Sequence, residues 1–327
     1  MKESASASAP GKVILFGEHF VVYGKPALAT AIDMRVTVKA RPRRDARIFV
    51  NSIDVKVSGY CDGDVIHICD GDSKAGRKLE PIFSVVRHFQ NVTGKSGGVE
   101  LEIKSEIPAS SGLGSSAAVS VASASALDRL FNTGLSRDEI FKISMEAEKI
   151  VHGNPSGIDP AASIYGGFIL YQKGKGVERL DLDIDLPIII GDTQMERSTG
   201  EMVNRVSQLR TRYPALIDKI VCLGEEIVTQ ALEALKNRNL EALGEIMNIN
   251  HSLLNAIGVS NMRIERLVQA ARDAGALGAK LTGAGGGGCI IALGTRDKIS
   301  GIAEAIQNAG GRPYITKRSM DGVRFEE

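Results

Sequence analysis

"SSGLGSSAAV", Ser110 to Val119, sets two glycines among four serines and runs straight into a helix-forming stretch. Gly112 and Gly114 lack side chains, so the backbone there can take φ > 0 and approach a ligand closely. A helix beginning at Ser115 offers unpaired N–H groups and a partial positive charge, which together suit a phosphate chain. Hydroxyls at Ser110, Ser111, Ser115 and Ser116 add donors, and one could ligate a metal ion. A capped tight turn would use the same residues, because serine is a favoured cap. The pattern is not GxxxxGK[ST], and GxGxxG does not follow the first strand, so neither a P-loop nor a dinucleotide-binding fold is indicated.

Around this loop lies a chain of 327 residues, 43% hydrophobic and 24% charged, with a formal net charge of +1. That is globular composition with room for two domains, and it gives no electrostatic reason to expect nucleic acid or a membrane surface as partner. An anionic ligand must therefore be met locally. The first residues carry no apolar signal region, and no apolar run nears the ~18 residues of a membrane span, so the expected location is cytoplasmic. Cys61, Cys69, Cys222 and Cys289 have neither metal-ligand spacing nor disulfide density and read as reduced. Arg41, Arg43, Arg44 and Arg47 lack interleaved aromatics and read as a solvated strand end.

Alternating apolar residues in "MRVTVKARP", "RIFVN" and "VELEIKSEI" predict a sheet in the first hundred residues. Helical spacing follows at Ala117 to Leu130 and Ser136 to Val151, then a strand in "GGFILYQ". "LDLDIDL", from Leu180 to Leu186, reads as a half-buried strand or edge with an acidic outer face. A domain boundary is placed there, giving 1–185 and 186–327. Beyond it come the strand "LPIIIGD", helical runs from Thr199 to about Met262 and from Ile264 to Ala274, a strand-loop-strand at "LTGAGGGGCIIAL", one more helix and "RPYITKRS". The expected class is α+β in two domains.

Two further loops attract chemistry. "TGAGGGGC", Thr282 to Cys289, holds more glycine than a turn requires, which points to close backbone approach by a ligand or another loop. In "APGKVILFGEH" Lys12 is expected at the mouth of a strand Val13 to Phe16, with Glu18 and His19 just beyond Gly17. A lysine there could stabilise a developing alkoxide or simply be a strand-end charge, and a lone histidine is more often structural than a base. Glu146 and Glu148, two apart on a helix, cannot both face one site. Asp159 before Pro160 has the look of an N-cap, which need not exclude a catalytic role.

"APGKVILFGEH", "GLGSSAA" and "LTGAGGGGC", in that order, resemble the GHMP kinase superfamily. Within it, "GEHFVVYGKPALATAI", "VHGNPSGIDPAASIYGG", "DTQMERSTGEMV" and "NHSLLNAIGVSN" are most similar to the mevalonate kinase branch over nearly the whole chain. The resemblance implies a two-domain fold with its site in the interdomain cleft. It also implies ATP- and Mg2+-dependent phosphorylation of mevalonate, with dimers known in the family. It makes Asp159 the catalytic base and Lys12 the residue that lowers the pKa of the attacking hydroxyl. Ser116 and Glu148 become the metal ligands, and Pro108, Ser110, Ser111, Gly112, Leu113, Gly114, Ser115 and Ser116 the ATP-binding loop. Glu18, His19, Thr199, Gly283, Ala284 and Gly285 fall on the acceptor side. One departure is Ser110-Ser111, where this branch usually carries Gly-Ala. Another small-alcohol kinase such as a phosphomevalonate kinase, or a binding module without turnover, stands as the alternative. The joint presence of Lys12, Glu148 and Asp159 argues for an enzyme, since a binder needs no base.

Overall fold

The computed structural model describes residues 2–72, 76–108, 112–152, 155–196 and 198–327. Its first sheet is built on two long strands, β1 (Ala5–Phe16) and β2 (Ala27–Pro42), whose near-continuous burial reflects cover on both faces. Adjoining strands are β3 (Ile48–Ser52), β4 (Val57–Asp62), β5 (Val65–Asp70), β6 (Val99–Ser105), β7 (Phe168–Gln172) and β8 (Gly176–Leu180). With β13 (Arg324–Glu326) from the end of the chain, the order runs β13-β1-β2-β6-β3-β4-β5, with β7 paired to β2 and β8 to β7. Among the described residues four α-helices accompany it: α1 (Glu80–Thr93), α2 (Ser115–Phe131), α3 (Arg137–His152) and α4 (Ile158–Tyr165).

The second sheet is antiparallel, in the order β10-β11-β9-β12, from β9 (Pro187–Asp192), β10 (Gly278–Thr282), β11 (Cys289–Leu293) and β12 (Arg312–Lys317). Alternation places Ile188 and Ile190 in the core shared with the first sheet, while Ile189 faces a second core with Leu267, Val268 and Ile302. Five helices complete this half: α5 (Thr199–Arg212), α6 (Pro214–Lys236), α7 (Leu240–Ala256), α8 (Met262–Asp273) and α9 (Ile299–Asn308). Ser198, Asn239 and Asn261 cap α5, α7 and α8 by accepting backbone N–H bonds, and Pro214 opens α6. The last strand, β13 (Arg324–Glu326), returns to the first sheet beside β1, so the segment after β12 leaves the second half of the chain for the first.

Three local expectations are corrected. Lys12 lies inside β1 rather than at its mouth, because Pro10 and Gly11 stay in the strand while its ladder with β2 shifts register between Pro10 and Lys12. Of the acidic stretch 180–186 only Leu180 is in a strand; Asp183 and Asp185 instead meet Arg318 and Arg296 in ion pairs. Asp159 is in the first turn of α4, whose N-cap is Gly157 at φ 87°. Only glycine enters a helix easily from that conformation, and the aspartate side chain is thereby released from capping.

No helix among the described residues is long and apolar enough to cross a membrane. No disulfide joins any of the four cysteines among the described residues. Arg41 and Arg43 pair with Glu100, Arg43 also with Asp45, and Arg47 with Asp62, as a solvated strand end would.

Candidate active site

β1 and the turn before α2 are tied together at Lys12. Its backbone N–H donates to the Leu113 carbonyl at 2.8 Å, and its Nζ donates to the Gly112 carbonyl at 3.2 Å. Gly114, at φ +78°, is required by this crossing: a Cβ there would lie 2.9 Å from Lys12 Cγ. The stem is buried and the ammonium points at Asp159, with Nζ 3.3 Å from Oδ1. Asp159 remains partly open, its side chain 28% exposed, so the pair has one solvent-facing side.

Behind this pair α3 contributes Glu148. Burial, reinforced by the charge of Asp159, pushes its carboxyl up to about 7, against a hydrogen bond from Ser116 and the nearness of Lys12. Ser116 belongs to the first turn of α2, so the hydroxyl and the carboxylate meet where that helix presents its unpaired N–H groups. Glu146, two residues earlier, points away and pairs with Lys149 at 2.6 Å. A buried carboxyl group whose ionisation burial disfavours, beside a hydroxyl, is a donor set a divalent cation would satisfy. Mg2+ typically takes one or two carboxylates and completes its shell with phosphate and water oxygens.

A second group of residues comes from the other sheet. Thr282 at the end of β10 donates to the Ile14 carbonyl at 2.9 Å and accepts from the Ile14 N–H at 3.1 Å, clipping the second sheet to β1 two residues beyond Lys12. The loop that follows has four successive glycines at positive φ, 73°, 71°, 154° and 70° for Gly285 to Gly288. The Gly286 N–H donates to the Val259 carbonyl at 2.8 Å, and Met202 of α5 lies against Gly286. His19 Nε2 lies 2.8 Å from the Ala284 carbonyl, which requires the proton on that nitrogen. His19 itself sits at φ 61°, ψ −41°, a conformation a non-glycine residue holds only where its surroundings fix it.

Lys12, Gly112, Leu113, Gly114, Ser116, Glu148 and Asp159 thus converge, with Ser115 opening the helix beside them. His19, Gly283, Ala284 and Gly285 gather across the Ile14–Thr282 clip. Pro108 is half-buried at the approach to the loop, whereas Ser110 and Ser111 lie outside the described residues. Thr199 is exposed in the first turn of α5. The Glu18 carboxylate is fully enclosed, paired with Lys280 and accepting from Asn250 Nδ2 at 3.2 Å. Neither Lys280 nor Asn250 was singled out in the sequence, although "NHSLLNAIGVSN" contains the asparagine.

Comparison with known proteins gives one consistent family. Residues 80–167 match the GHMP kinases N terminal domain, residues 231–312 the GHMP kinases C terminal model, and residues 2–42 the galactokinase galactose-binding signature. The mevalonate kinases of Thermococcus sibiricus and Pyrococcus furiosus are each 44% identical to this chain, with 98% of both chains covered. The L. major mevalonate kinase crystallised with R-mevalonate superposes with a TM-score of 0.86 at 28% identity, covering 98% of each chain.

Proposed function

The chain belongs to the mevalonate kinase family of the GHMP kinases, and on that premise we propose that it transfers the terminal phosphoryl group of ATP to the primary hydroxyl of (R)-mevalonate, giving 5-phosphomevalonate for isoprenoid synthesis. The observation that carries the reading is the half-open Lys12–Asp159 pair beside the start of α2. An alcohol is a weak nucleophile at neutral pH, and the pair supplies both a proton acceptor and a positive charge for the developing alkoxide.

In this mechanism the acceptor oxygen forms a bond to the γ-phosphorus as the bond from that phosphorus to the β,γ-bridging oxygen breaks. The hydroxyl proton goes to Asp159 and ADP leaves. Lys12 holds the attacking oxygen in line, and the N–H groups at the start of α2 stabilise charge on the phosphate oxygens. Ser116 and Glu148 would hold Mg2+, which when bound neutralises charge on the β- and γ-phosphates. His19 and the Gly283 to Gly285 backbone would orient the acceptor from the opposite wall. Glu18 serves that wall from behind, through its pair with Lys280 next to His19.

The test is ADP release with Mg-ATP and mevalonate, phosphomevalonate, homoserine or galactose as acceptor. Turnover with mevalonate alone is expected. Turnover with galactose would favour the reading that the galactose-binding signature at 2–42 suggests, and the absence of turnover with every acceptor would leave a binding module.

A further inference from the structure

Eight residues make up α4, the helix that carries Asp159, and it has no side-chain N-cap. A helix this short is marginal by itself, since isolated helices below ~12 residues are barely stable in water. Its placement is therefore set by what it touches. Its last turn and the residues just after it are held by the returning chain: the Val323 N–H donates to the Ile164 carbonyl at 3.3 Å, and the Gly167 N–H to the Ser319 carbonyl at 2.8 Å. Closer to Asp159, Ser163 is fully buried and donates from Oγ to the Pro10 carbonyl at 2.8 Å.

A serine inside a helix ordinarily returns its hydroxyl to the carbonyl four residues back. Ser120 and Ser144 do so, donating to Ser116 and Ile140. For Ser163 that carbonyl would belong to Asp159, yet the hydroxyl crosses to β1 instead. It reaches the strand where the β1–β2 ladder shifts register, two residues before Lys12. Residues 159 and 163 share one helix face, so the bond is made one turn along the helix from Asp159.

We propose that Ser163 is a positioning residue: its bond to the Pro10 carbonyl clamps the helix bearing Asp159 to the strand bearing Lys12 and fixes the separation of the two groups. The inference rests on the reading of Asp159 as the base. Without the clamp the helix keeps its far anchor and pivots, moving Asp159 relative to a lysine that is held separately by Leu113 and Gly112.

The experiment measures kcat and both KM values for Ser163→Ala, Asp159→Asn and the double variant, with folding followed by circular dichroism. Ser163→Ala is expected to lower kcat about 10- to 100-fold, the scale set by a misplacement of about 1 Å, with the KM for ATP unchanged. In the Asp159→Asn background the same change should cost less than about threefold, because coupled residues are not additive. Wild-type kcat in a folded Ser163→Ala, or an undiminished loss in the Asp159→Asn background, overturns the clamp and leaves the base reading intact. A wild-type rate in Asp159→Asn overturns both. If Ser163→Ala does not fold, Ser163→Cys, similar in size with a weaker donor, replaces it: a reduced kcat supports the clamp, and an unchanged one overturns it.

Discussion

Two lysine–carboxylate pairs stand near the Ile14–Thr282 clip, each with its lysine two residues before a clip residue, and they are built for opposite ends. Lys280 and Glu18 are sealed, with 0% and 1% side-chain exposure. Every group has a further partner: Lys280 donates to the Leu281 carbonyl and Glu18 accepts from Asn250. Lys12 and Asp159 are 7% and 28% exposed, 3.3 Å apart, with the carboxylate side open. The same two functional groups thus make a structural rivet when desolvated and saturated, and a reactive pair when one member is left wet. Burial disfavours the charged form of Lys280, and Glu18 opposes that shift.

The largest expected effect separates chemistry from folding. Asp159→Asn should reduce kcat by up to about 10⁴-fold, near 5.5 kcal/mol, while ATP binding and thermal unfolding stay close to wild type. A stability loss of comparable size would show the open pair to be a second rivet. Lys280→Met leaves a buried carboxylate unpaired and should lower unfolding free energy by about 3–5 kcal/mol in urea titrations, with Lys280→Met/Glu18→Gln recovering more than half. No recovery in the double variant would mean that packing, not charge, is lost.

A pH series sharpens the comparison further, because the sealed pair has a titratable neighbour. Burial pushes the His251 imidazole down to about 4, assisted by the charges of Arg272 and Lys280 and opposed by Glu265. The folded chain therefore refuses a proton that the unfolded chain accepts near pH 6.5. Stability is full above that pH and falls as pH drops toward 4, by up to about 3 kcal/mol. Denaturant titrations at pH 7.5 and 5 should show the slope, and His251→Gln should flatten it. The smallest effect is reserved for the open pair: Lys12→Met should change stability by about 1 kcal/mol, since water can solvate the partly exposed Asp159. A loss equal to that of Lys280→Met would erase the distinction.

Much of the site is legible in order along the chain, because each loop signals itself locally. Gly112 and Gly114 mark a backbone that must pass close to something, and the small residues after Ser115 mark a helix start. What the sequence hides is whatever depends on distant partners. Asp159-Pro160 has the local form of a cap, but the cap is Gly157, since the tight crossing before α4 needs φ > 0. "LDLDIDL" alternates like a strand, yet among the described residues strand pairing stops at Leu180, and two of its aspartates go to arginines from 296 and 318. Glu18 looks like a site residue because it adjoins His19, and only Lys280, 262 positions away, reveals it as enclosed. Ser163 carries no local signal at all, as its acceptor lies 153 positions earlier.

The pairing of β1 with β13 has a consequence for how the molecule is made. Ser8 and Glu326, bonded in the finished sheet, are 318 positions apart. At ribosomal rates of about 5–20 residues per second, the strand carrying Lys12 waits tens of seconds for its outer neighbour. An unpaired strand edge in that interval invites pairing with other nascent chains. The edge is written "ASASAP": small, weakly apolar, and closed by a proline that cannot donate to a ladder. The bland composition of this strand gives other nascent chains little to pair with while its partner is still being made.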